Sequence, residues 1–465
     1  MAAAAVDAVL PWRLSNPGCF PMRYGLTPGI ALRPQVRARD AQFLVARVCA
    51  VVLGLFAFIA LLPASILPNA VPLVVVFGCA CATILARVSP TTLHVDLVTP
   101  FSVFFAATGM LYIAASMFQV LPVGNLRPVR TDYILRHAYY ILPWIPLIAG
   151  TTLIFRHALP DITTLARRAA LPVLAGLAAA DIASGPLFGV PERMAWEGYL
   201  PFFDPPVLIF FYAACFFLCV STTRRAAMPL VVVTSHCLIS NAFGFGQMFN
   251  TTTGMFVLVC MWIFAIGVRK SPRFAFLCLA ALVCGLALVM IAGVAAPRVI
   301  GLDINSQWRF FVWRENLFAA LGSGSLGVGF GTPYYQLSAG NVADAFRLMN
   351  FAEFAQYKFS SPIDLLYIRG QHSSFVNAFY RMGLLGGGLL LAFNAAVVVV
   401  LLKALRGRAN VFTRVAAGAG AIFLIEAVQL ALHVGLESPR YLAVYALAVG
   451  LARAAAHLSR READR

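Results

Sequence analysis

Charge is what this sequence has least of. Only 11% of its 465 residues are Asp, Glu, Lys or Arg, where a water-soluble domain carries roughly 25%. Too few charges remain to coat a globule of this length, which excludes an ordinary soluble fold. Two other features are absent. The alternating pattern of a membrane β-barrel does not occur, so apolar segments must satisfy their own backbone polar groups as helices. No Cys-x-x-Cys pair occurs among the ten cysteines, which removes the usual paired metal spacing and leaves them as small apolar residues. The first 42 residues are rich in Pro and Arg and lack a short apolar core with a cleavage site, so no signal peptide is expected.

What the chain does have is apolar length. Hydrophobic residues make up 61% and the mean hydropathy is +0.84. Runs near the ~20 residues that a bilayer core requires lie at 43–63, 70–86, 98–121, 139–155, 169–184, 206–222, 227–243, 254–268, 274–296, 372–402, 414–434 and 438–456. The pattern predicts an all-α polytopic transmembrane bundle of about a dozen spans. Its organisation reads as a cytoplasmic tail (1–42), nine spans (43–296), a large external loop (297–371), three spans (372–456) and a cytoplasmic tail (457–465).

The net charge of +17 would suggest nucleic acid in a soluble protein. Here the basic residues sit mainly in short loops, where they set topology, and no nucleic-acid partner is expected. Arg87, Arg156, Arg167, Arg168, Arg224, Arg225, Arg269, Lys270, Arg273, Lys403, Arg406, Arg408 and Arg414 fall in loops assigned to the cytoplasm. The opposite loops are poor in charge at 64–69 and 244–253 and acidic at 185–205. Both termini are therefore expected in the cytoplasm. One loop breaks the rule: 122–138 carries Arg127, Arg130 and Arg136 on the outside, which marks it as a candidate anion-binding surface. The insertion 297–371 is nearly charge-balanced and contains aromatics, so it is expected to fold into short helices rather than act as a flexible linker.

Candidate chemistry clusters in and after that insertion. Arg309 and Trp313 share a helical face, and Arg314 follows. A glycine run, Gly327-Val-Gly329-Phe-Gly331, lets backbone approach a ligand closely. His372-Ser-Ser-Phe-Val-Asn377 stands at the mouth of the next span and leads to Tyr380-Arg381-Met-Gly383-Leu-Leu-Gly386. Histidine has the side chain whose pKa lies nearest working pH. A second set, Glu426, Gln429, His433 and Glu437, recurs on one helical face. It reads either as the polar wall of a cavity or as a buried network that fixes helix packing. Arg381 is a candidate partner for Glu426 or Asp181.

The order of these motifs resembles the O-antigen ligase and polymerase superfamily (the Wzy/WaaL-like membrane glycosyltransferases). The resemblance rests on Arg309, Trp313, Gly327, Gly329, Gly331, His372, Ser373, Phe375, Gly383 and Gly386 and covers roughly 305–390. It implies a GT-C-like fold and a metal-independent transfer at the periplasmic face of the bacterial inner membrane. The implied donor is an undecaprenyl-diphosphate-linked glycan and the implied product a longer polysaccharide. Further implied partners are membrane lipid and other components of polysaccharide export; no cofactor is implied. His372 and Arg309 take the catalytic places. Arg127, Arg130, Arg314, Gly329 and Gly331 are candidates for holding the diphosphate, and Glu426, Gln429, His433 and Arg381 for a polar network lining the cavity. The absence of any Asp-x-Asp pair fits a polyprenyl-linked donor better than a nucleotide sugar.

Many members carry a Ser-Arg at the outer start of the second span before the loop. Phe249-Asn250-Thr251-Thr252-Thr253-Gly254 stands there instead. The missing arginine, expected to bind the donor diphosphate in ligases, favours a Wzy-type polymerase over a ligase acting on lipid A-core. The reading from another class is a lipid-linked oligosaccharide flippase. Such carriers usually show two related halves with a midplane site, and no such repeat is visible here.

Overall fold

The structure, a computed structural model, describes residues 43–53, 70–86, 96–121, 129–188, 231–232, 234–235, 267, 271–300, 304–333, 373–406, 410–432 and 436–463. The described residues are helical, with connecting turns and no strand. In chain order the helices are α1 (Phe43–Leu53), α2 (Ala70–Leu85), α3 (Val98–Met117), α4 (Thr131–Ala138), α5 (Trp144–Phe188), α6 (Pro272–Ala295), α7 (Pro297–Ile300), α8 (Ile304–Gly322), α9 (Ser374–Ala404), α10 (Val411–Leu432) and α11 (Pro439–Ala463). Five of them, α3, α6, α9, α10 and α11, are long and apolar enough to cross a membrane. They coincide with the runs at 98–121, 274–296, 372–402, 414–434 and 438–456. The run at 206–222, all of 254–268 but Gly267, and most of 227–243 lie outside the described residues.

Two expected spans are joined. The runs at 139–155 and 169–184 belong to one 45-residue helix, α5, so the chain does not turn between them. At about 1.5 Å per residue α5 is about 68 Å long, roughly twice the ~30 Å of a bilayer core. The intervening Arg156, Asp161, Arg167 and Arg168 stop an apolar run but do not stop a helix. Asp161 meets Arg47 of α1 at 2.7 Å, with both side chains about half exposed. The expected tail at 457–465 is likewise helical to Ala463, as the end of α11.

Packing follows from small residues. Lipid supplies no hydrophobic drive between helices, so close approach of backbones must supply contact instead. A Cβ at Gly450 of α11 would lie 2.6 Å from the Thr151 Cβ of α5, and Thr151 donates across the interface to the Ala446 carbonyl at 2.9 Å. The stretch Ala416–Ala421 of α10, with Gly418 and Gly420, is buried throughout and receives the Phe276 ring of α6 against Gly420. Trp144 fills the middle of the core. Its ring meets Phe105 at 4.7 Å, Phe393 at 5.2 Å and Tyr445 at 6.1 Å between centroids.

The bundle has two chemically different ends. At one, Asp96 at the start of α3 receives Arg453 of α11 in a two-pronged ion pair of 2.9 and 2.7 Å. Ser459 there bonds the Ala404 carbonyl and the Thr413 hydroxyl, and Arg460 bonds the Val400 carbonyl. This end carries Lys403, Arg406 and Arg414. The other end gathers the end of α3, α4, the 323–333 turn, the start of α9 and the 436–438 connection. The described stretches 129–138 and 323–333, from the loops expected at 122–138 and 297–371, thus share one end.

Candidate functional site

The site is organised by a break in a helix. Gly383 of α9 has φ +61° and ψ −159°, a combination open essentially to glycine alone. In an unbroken helix the Leu384 N–H would donate to the Tyr380 carbonyl. Here it donates to the Ser325 carbonyl at 3.0 Å. The Tyr380 and Arg381 carbonyls accept from the Val328 and Gly329 N–H groups, each at 2.9 Å. The glycine-rich turn is thereby threaded through the break, and the buried backbone polar groups that the break releases find partners.

Alternating glycines make the threading possible. Gly327, Gly329 and Gly331 all have positive φ, at +77°, +80° and +80°. A Cβ at Gly327 would lie 2.8 Å from the Arg381 carbonyl oxygen, and one at Gly331 2.7 Å from the Arg130 carbonyl oxygen. The turn is buried from Gly327 to Pro333. Surrounding helices hold it at every step. Tyr112 donates to the Leu326 carbonyl at 2.7 Å, and Ser116 Oγ accepts from Phe330 N–H at 2.8 Å. His137 Nδ1 accepts from Gly331 N–H at 3.3 Å, and Arg130 N–H donates to the Gly331 carbonyl at 2.9 Å.

Arg381 pins the turn from inside. It is fully buried, and its Nη1 donates to the Gly329 carbonyl at 3.2 Å, the Thr332 carbonyl at 2.6 Å and the Thr332 hydroxyl. Tyr380 adds a bond from its hydroxyl to the Pro333 carbonyl at 2.8 Å. Thr332, Ser116, Tyr112 and His137 carry no motif that sequence reading could have singled out. Their partners lie 49 to 214 residues away along the chain.

The first turn of α9 carries a second cluster. Ser373 caps the helix, its Oγ accepting from Val376 N–H at 3.3 Å. Glu437, from the connection between α10 and α11, accepts from the Ser374 hydroxyl at 2.6 Å and from Asn377 Nδ2. Ser374 Oγ in turn accepts from Leu436 N–H at 2.9 Å. Burial pushes the Glu437 carboxyl up from its ordinary pKa, while both hydrogen bonds and the Arg381 charge pull it back.

The sequence-derived candidates divide by place. Gly329, Gly331, Arg381 and the Arg130 backbone meet at the turn, where the N–H groups of both glycines already have protein partners. The Arg130 side chain grips Asp132 through Nε at 3.2 Å and Nη2 at 2.7 Å and lies 4.5 Å over the Tyr133 ring. Arg309 and Arg314 are half-buried on α8. Trp313 is buried beside Phe310, centroids 5.5 Å apart. Arg314 sits 5.0 Å over Phe311 and 3.5 Å from Glu315. Glu426 and Gln429 are buried in α10, and Gln429 Oε1 has no hydrogen-bond partner. His372, Arg127 and His433 lie outside the described residues, as does the Asp181 side chain. No group of His, Cys, Asp and Glu suited to a metal ion occurs among the described residues. No protein-family model matches this chain, and no curated protein shows significant similarity to it.

Proposed function

We propose that this chain is a Wzy-type polymerase of the bacterial inner membrane. It joins undecaprenyl-diphosphate-linked oligosaccharide repeat units at the periplasmic face, with both termini in the cytoplasm. One observation carries the reading: the glycine-rich turn docks in the break of α9 at Gly383, within the same His372–Gly386 stretch of sequence motifs. Two motifs from the order that resembles glycan ligases and polymerases, the glycine run at 327–331 and the stretch 380–386, thus meet, which supports the reading. A site at one end, on a single large loop, suits an enzyme working at one membrane face better than a carrier alternating about its midplane.

In this reading the acceptor sugar hydroxyl attacks the anomeric carbon of the donor glycan. The bond from that carbon to the diphosphate oxygen breaks, and polyprenyl diphosphate leaves. His372 takes the hydroxyl proton, general base catalysis worth about 10²–10⁴ in rate. Arg309 and Arg314 balance the diphosphate charge. Arginine suits this because its planar fork grips phosphate oxygens and never deprotonates.

The test is polymer length on a gel, from cells lacking the native gene and complemented with wild type, His372→Ala or Arg309→Ala, at matched membrane levels. Wild type is expected to restore long polymer and both variants to leave single repeat units. Long polymer from both variants would overturn the site. Wild type that only caps lipid A-core with polymer already made would identify a ligase instead.

A further inference from the structure

The end of the bundle that carries the Asp96–Arg453 clamp holds more positive charge than it neutralises. Three helices meet there at one junction. Ser459 of α11 bonds the Ala404 carbonyl of α9 and shares a hydrogen bond with the Thr413 hydroxyl of α10, each at 3.2 Å. Lys403, Arg406, Arg414, Arg460 and Arg461 all stand within two residues of a member of that junction. The aspartates on this side are taken, Asp96 by Arg453 and Asp161 by Arg47. Among the described residues none of these cations meets a carboxylate. Arg156 of α5 lies close enough to Arg461 for the like charges to repel.

Two unmet donors point to an anion. Arg414 and Arg460 are half-buried, and the Nε of each is buried without a hydrogen-bond partner. Arg460 uses only Nη2, on the Val400 carbonyl at 2.9 Å. An unpaired buried N–H on a charged group is destabilising, and phosphate oxygens are its natural acceptors. Setting topology requires only that cations lie on one side of the membrane. It does not require them to crowd one helix junction with donors left unmet. Apolar surface adjoins the charge: Val399 of α9 and Val411 of α10 are 36% and 39% exposed. A phosphate that carries acyl chains matches both surfaces, whereas free phosphate matches only the first.

We propose that the junction of α9, α10 and α11 binds the phosphate headgroup of an anionic membrane lipid. Arg414 and Arg460 grip the phosphate, Lys403 and Arg406 stand at its rim, and the acyl chains lie against Val399 and Val411. Basic pockets between membrane helices suit such headgroups. The site lies at the opposite end of the bundle from the glycine-rich turn and does not depend on the polymerase reading.

The experiment uses the purified full-length protein in a neutral detergent, with phosphatidylglycerol as the probe and native mass spectrometry counting the lipid retained. Wild type is expected to retain phosphatidylglycerol but not phosphatidylcholine, and inorganic phosphate at the same concentration is expected not to displace it. Arg414→Gln combined with Arg460→Gln is expected to weaken retention about 25-fold, two cations at roughly fivefold each. Arg136→Gln, which removes a charge at the other end, is expected to leave it within about twofold. Should the double variant not fold, Lys403→Gln combined with Arg406→Gln, both exposed, carries the same test with about a tenfold or greater fall. Unchanged retention in the folded variant overturns the proposal. So does equal retention of phosphatidylcholine, which would mean apolar contact alone, or displacement by inorganic phosphate, which would make the ligand a free anion. An equal fall in Arg136→Gln also overturns it, because net charge rather than this junction would then hold the lipid.

Discussion

Alanine at position 383 is expected to destabilise the protein by about 4 kcal/mol or more and to abolish polymer formation. A φ of +61° with an extended ψ costs a non-glycine residue on the order of 1–3 kcal/mol. The added Cβ would lie 2.5 Å from the Leu326 carbonyl carbon and 2.8 Å from the Gly327 nitrogen, and it would strike the Ser325 carbonyl oxygen as well. These atoms are backbone of the threaded turn, so none can rotate away. Relief requires the turn to leave the break, which abandons three backbone hydrogen bonds, each contributing about 1 kcal/mol. Gly388 on the same helix is the control. Nothing lies within 4 Å of a Cβ built there, and Gly388→Ala should be neutral or slightly stabilising. Unfolding of the two variants in mixed micelles separates the cases; equal stability for both would mean that the turn is not held by the break.

The second large effect is at the opposite end. Asp96→Ala should cost about 3–5 kcal/mol, because it leaves the Arg453 guanidinium buried and uncompensated. Arg453 and Asp96 side chains are 8% and 12% exposed. Asp96 also accepts from the Val98 and Thr99 N–H groups and from the Thr99 hydroxyl, each at 3.1 Å, so about 1 kcal/mol of capping is lost too. Adding Arg453→Met should recover part of the loss by removing the orphaned charge. The Arg47–Asp161 pair has nearly the same distance but 47% and 54% exposure. Asp161→Ala should therefore cost no more than about 1 kcal/mol. If the two aspartate variants melt together, burial is not what distinguishes the pairs.

Hydropathy alone made five spans legible, because an apolar helix that crosses lipid leaves a contiguous signature. The same measure misjudged 156–168. It registers where lipid would reject a side chain, whereas the backbone there has no glycine and continues as helix through its charges. The break at Gly383 was hidden for the converse reason. It falls inside the apolar run 372–402, and what fills it comes from residues 325–329, more than fifty positions earlier. The Gly327, Gly329 and Gly331 pattern was visible, but as backbone open to a ligand. Its N–H groups at 329 and 331 meet Arg381 and His137, partners that no local window contains. Glu437 was visible as one of four residues on a helical stripe, and Asn377 as the end of the His372 motif. That they bond each other required the α10–α11 connection to fold back on α9.

The Asp96–Arg453 clamp also fixes an order of manufacture. The two residues are 357 positions apart. At about 5–20 residues per second of synthesis, Asp96 waits on the order of half a minute for its counter-charge after leaving the ribosome. For that interval α3 must be sheltered by water, lipid headgroups or the insertion machinery. A nascent chain halted before Arg453 leaves the Asp96 carboxylate without its counter-charge at the foot of α3, held only by the Val98 and Thr99 groups.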